Sequence, residues 1–158
     1  MGKMMEDIEI IQKLKSKYSL ADTSNFNIID FVCAYGNPVD ALMYLRFFWP
    51  EFIEKDGMIF LKETFENQEG WARFDEAKNY FAGNYMEIEK SFNYFEIPVQ
   101  LVDKKNEIDD KEYEYIAERM KQMWDAKLKF DFPNRQFVVR VANPDVTGGE
   151  IGLIFYQV

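Results

Sequence analysis

Two stretches of strand-like alternation lie far apart in this chain of 158 residues, separated by several helix-period stretches, and that order restricts the fold more than any other feature. The first stretch, Glu51–Lys55 and Met58–Glu63, is joined by Asp56-Gly57, a pair that tolerates the positive φ of a type I′ turn. The second runs over Gln136–Ala142 and Glu150–Gln157, with a loop from Asn143 to Gly149. Phe137, Val139 and Val141 alternate there with Gln136, Val138 and Arg140, which predicts one buried face. Hairpins separated by runs of helix favour an antiparallel arrangement over a parallel one. The expectation is an α+β fold: about five or six helices packed on a small antiparallel sheet built from two β-hairpins, in a single globular domain over residues 1–158.

The helical stretches are legible from apolar spacing and from punctuation. Met4, Ile8, Ile11 and Tyr18 share one stripe, and Ile28, Phe31, Val32 and Tyr35 another, with Gly36 expected as a left-handed stop. Asn37 and Pro38 restart the chain as cap and first helical residue, and Pro50 ends that helix. Because Ala41–Trp49 is apolar on nearly every face, it is expected to be a central helix packed on several sides. Trp71, Phe74, Ala77 and Phe81 predict a helix after Asn67 that stops at Gly83. Tyr85, Ile88, Phe92 and Phe95 predict the next, capped by Asn84 with Glu87 completing a capping box. Pro98 then confines Ile97–Val102 to loop or edge strand. A second capping box, Asp109 with Glu112, opens a long helix with Tyr113, Ile116, Met120 and Trp124 on its apolar stripe.

Composition removes whole classes of chemistry. The chain has no histidine and one cysteine, so nucleophile–imidazole catalysis and histidine- or thiolate-ligated metal sites have no residues to build on. Cys33, in an apolar helical segment with no neighbouring base, reads as a core thiol. A calcium loop over Asp103–Glu114 fails on Lys105 and on Ile108, where glycine is needed. Asp125-Ala126-Lys127 reads as a solvated helix end, and Gly148-Gly149 as hairpin geometry, not a phosphate cradle. No cofactor, metal ligand or catalytic residue is assigned.

Charge then suggests a partner. Nineteen basic residues stand against 28 acidic ones, a formal charge of −9, which repels nucleic acid and anionic lipid and attracts cationic protein. The acids cluster: Asp103–Glu118 carries seven against three bases, and Glu51–Glu69 six against two, each a local −4. No apolar run is long enough to span a membrane, and the first ten residues lack a secretory pattern, so a cytoplasmic address is expected. The leading functional expectation is a non-catalytic acidic domain, an inhibitor or immunity-type antidote, binding a basic protein through Asp103, Glu107, Asp109, Asp110, Glu112, Glu114 and Glu118. One alternative is a histidine-independent enzyme using paired carboxylates, magnesium-dependent or glycoside-directed, with Glu51, Glu54, Glu87 and Glu89 beside aromatic residues. Another is a structural or oligomeric component, suggested by Trp49, Phe52, Trp71 and Phe95.

Overall fold

The computed structural model describes residues 7–101, 107–143 and 149–158, which fall into two units, Met1–Leu45 and Arg46–Val158. Among the described residues there are seven helices, one 3-10 turn and two small antiparallel sheets, an α+β fold.

The first unit contains α1 (Asp7–Lys17), α2 (Ile28–Tyr35) and most of α3 (Pro38–Phe48). Asn27 caps α2: its Oδ1 accepts from the amides of Ile29 and Asp30, and the Asp30 carboxylate accepts from its N–H at 2.9 Å. Phe31 is buried against an aromatic group in which Tyr18 stacks on Tyr35 at 3.9 Å and Phe26 meets Phe31 edge-on.

Three expectations change in this unit. Gly36 is extended, not left-handed; glycine fits there because a Cβ would lie 2.4 Å from the carbonyl oxygen of Val32. Cys33 is exposed, not core, because two residues beyond buried Phe31 it sits about 200° round the helix. Helix α3 is not a central packed helix: none of its residues is buried, and Leu42 is 68% exposed. An all-round apolar pattern records how much surface a helix offers without naming the neighbours that would cover it. Only Phe47 and Phe48, in its last turn, pack on a hydrophobic core, that of the second unit.

In the second unit β1 (Phe52–Lys55) and β2 (Met58–Leu61) form the first hairpin, with Lys55 opposite Met58. Asp56 and Gly57 both have positive φ, 52° and 82°, as the type I′ turn requires. A 3-10 turn over Lys62–Phe65 leads to α4 (Gln68–Tyr80) and α5 (Tyr85–Phe92). Asn84 caps α5, accepting from the Glu87 amide. Glu87 does not close the capping box; its carboxylate pairs with Lys90 at 2.8 Å instead.

The chain after α5 is not helical through Phe95. Asn93, fully buried, ends the helix, and β3 (Tyr94–Glu96) pairs antiparallel with β5 (Gly152–Gln157), Phe95 opposite Leu153. Pro98 then sits in the first turn of a short helix, α6 (Ile97–Gln100), a position where its missing N–H costs nothing. The long helix α7 (Asp110–Asp131) opens on the expected capping box, and β4 (Phe137–Ala142) pairs with β5 to complete a sheet ordered β3-β5-β4. The two hairpins therefore belong to separate sheets.

Two apolar clusters fill this unit, and β2 lies between them. Ile59 joins Trp124, Leu128, Leu153 and Phe155 on one side, while Met58 and Phe60 join Phe65, Phe74 and Ile88 on the other. Three of the four β2 side chains, Met58, Ile59 and Phe60, are fully buried, each stabilising the fold by roughly 1.5–3 kcal/mol. The expected stripe of α7 holds: Met120 and Trp124 are buried, and Tyr113 and Ile116 pack partly on the same core. Buried Glu89 on α5 links the two sheets: one carboxylate oxygen accepts from the Ile59 amide and the other from the Gln157 amide, each at 2.7 Å.

Candidate functional site

A cleft of about 370 Å³ opens in the second unit where the end of α3, the 3-10 turn, the start of α4 and the end of α5 converge over β3. Its volume falls in the range of small-molecule sites. Local sequence explains its walls. Asn67 caps α4 by accepting from the Gly70 amide at 3.0 Å, and Gly70 lets the turn pass closely, since a Cβ there would lie 1.8 Å from the Thr64 carbonyl oxygen. The apolar lining is aromatic: Phe47 lies 5.4 Å from Phe95, which lies 5.4 Å from Trp124, and Trp124 Nε1 donates to the Phe47 carbonyl at 2.7 Å. Phe92 lines the same cleft and stacks on Phe65.

The charged groups of the cleft divide into committed and uncommitted. Arg46 donates to Glu63 at 2.6 Å and to Glu51 at 2.8 Å, and Lys62 pairs with Glu51 at 2.5 Å. The Lys62 hydrogen bond, then the charge of Arg46, holds the Glu51 carboxyl below its ordinary range, and Glu63 raises the guanidinium of Arg46. Arg73 is placed differently: its guanidinium lies 5.3 Å from the centre of the Phe92 ring, and it has no carboxylate partner among the described residues. Glu69, one turn earlier on α4 and also on the cleft, has no cation partner among the described residues either.

The acids expected to bind a partner are dispersed in role. Asp103 lies outside the described residues. Asp109 and Glu112 are spent on each other's amides in the cap, at 2.9 and 2.8 Å, and Glu112 is 9% exposed. Glu118 pairs with Lys121 at 3.2 Å. Glu107, Asp110 and Glu114 are exposed, and Asp110 and Glu114 have no cation partner among the described residues.

The four carboxylates considered for glycoside chemistry are each engaged: Glu51 and Glu87 as above, Glu54 with Arg135 at 2.7 Å, and Glu89 in the core. On α7 Asp125 pairs with Lys129, and Lys127 with Asp131. The cleft residues Glu69 and Arg73 were not singled out from sequence. Their signal was an acid and a base four apart on a helix, which ordinarily means a solvated ion pair.

Comparison with protein-family models, with curated proteins and with solved structures finds no match for this chain. Among the described residues no three histidine, cysteine, aspartate or glutamate side chains are grouped to hold a metal ion, and no helix is long and apolar enough to cross a membrane.

Proposed function

We propose that this chain is a non-catalytic protein-binding domain, an inhibitor or immunity-type antidote, whose acidic surface engages a basic partner protein. One observation carries the reading: Asp110 and Glu114 stand exposed one turn apart on α7 without countercharge among the described residues, in a chain of net charge −9. Acids in the first turn of a helix are accounted for by its dipole, and Asp110 and Glu112 lie there. Glu114 lies beyond that turn and takes no part in the cap, so its charge is available for an interface. A cationic partner would be steered to such a surface and would associate more slowly as salt is added. A cytoplasmic setting belongs to the same proposal.

The test compares capture from the source cell by the wild-type chain and by the Asp110→Lys/Glu114→Lys variant. A basic protein retained by the wild type, lost by the variant and released by moderate salt is the expected result. Recovery of no basic protein, or equal recovery by both chains, overturns the proposal.

A further inference from the structure

We infer that the cleft beneath α4 is a binding site for a small zwitterion with a flat apolar body, of the aromatic α-amino-acid class. Its lining carries two opposite charges that the protein leaves unused among the described residues, Arg73 and Glu69. At four residues' spacing on one helix these two would ordinarily meet, yet no ion pair joins them. Arg73 lies instead over Phe92, a contact that steadies the guanidinium while leaving its N–H fork free for a carboxylate. Arg46, the other cation of the cleft, is already neutralised by Glu51 and Glu63 and adds no net demand for an anion. The two remaining charges thus suit a ligand carboxylate at Arg73 and a ligand ammonium at Glu69. Phe47 and Phe92, both partly buried in the cleft lining, offer their remaining ring edges to the ligand's aromatic body, for which edge-to-face contact is favourable.

Calorimetric titration of the full chain with L-phenylalanine, 3-phenylpropionate and phenethylamine tests this. The two analogues lack the ammonium and the carboxylate respectively. Phenylalanine is expected to bind saturably, and each analogue about tenfold or more weaker, the loss of one charged contact. Arg73→Gln should weaken phenylalanine and 3-phenylpropionate but not phenethylamine, and Glu69→Gln should weaken phenylalanine and phenethylamine but not 3-phenylpropionate. Both side chains are exposed, so unchanged thermal unfolding of the variants confirms that only binding is affected. Absence of saturable phenylalanine binding, equal affinity for the three compounds, or indifference to both substitutions overturns the assignment.

Discussion

Glu89 in α5 and Asn93 at its C-cap, one turn apart, together satisfy both main-chain polar groups of Ile59: the Glu89 carboxylate accepts from its N–H at 2.7 Å, and Asn93 Nδ2 donates to its carbonyl at 2.8 Å. The outer edge of β2 is thereby closed by side chains, which is how β2 can be buried on both faces with no third strand beside it among the described residues. The same carboxylate also accepts from the Gln157 amide and from Gln157 Nε2, so α5 holds the hairpin and the end of β5 in register.

Removing that carboxylate should therefore cost more than an ordinary polar truncation. Glu89→Ala leaves the buried Ile59 amide and the partly buried Gln157 amide without their acceptor, and each such loss costs about 1–3 kcal/mol. Denaturant unfolding of Glu89→Ala should show a loss of about 2–4 kcal/mol, whereas Glu87→Ala, which removes only a surface pair with Lys90, should lose about 0–1 kcal/mol. Equal small losses for both would show that the buried carboxylate has no special part in stability.

Trp124 is fully buried, meets Phe52, Phe95 and Phe155 edge-on and donates to the Phe47 carbonyl. Trp124→Phe removes that donor and leaves space in the core, so unfolding free energy should fall by roughly 2–4 kcal/mol. Trp71 is half exposed and offers a control: its indole also donates to a carbonyl, that of Phe65, but Trp71→Phe should cost about 1 kcal/mol, the loss of a hydrogen bond that water can replace. The expected ordering fails if the two variants are equally stable.

Acid should act through the group around Arg46. Glu51 has its pKa lowered in the folded chain, first by the Lys62 hydrogen bond and then by the charge of Arg46. The unfolded chain therefore binds its proton more readily, so the stabilisation is present above the ordinary carboxylate pKa and disappears as pH falls through the lower folded value. Wild type and Glu51→Gln should differ in melting temperature at neutral pH, and the gap should close as pH falls below the ordinary carboxylate range. Because all three side chains are substantially exposed, salt should narrow the gap as well. A gap that widens on acidification would contradict this account.

The elements that sequence located best are those whose stabilising groups lie within a few residues of one another. The Asp56-Gly57 turn, the Asn84 cap and the Asp109–Glu112 box all form as their spacing predicts, because turn and cap geometry is set by local backbone dihedrals and local amides. The apolar stripe of α7 was legible for the same reason: the helical period fixes which side chains share a face.

What the chain does with those faces was decided only by tertiary structure. Phe95 fits a helical stripe by spacing yet becomes a strand residue, because a distant segment, Gly152–Gln157, supplies the hydrogen-bonding edge that sequence spacing cannot announce. Glu87 and Glu89 look equivalent in sequence, but one faces solvent and Lys90 while the other meets two amides from two different sheets. Sequence determined the local elements and the excess of negative charge, since propensity, periodicity and composition are properties of short stretches and of sums. Which acids are buried, capped, paired or left open, and which rings wall a cleft, depended on long-range packing, because an ionisable or aromatic side chain takes its role from the neighbours that surround it in space.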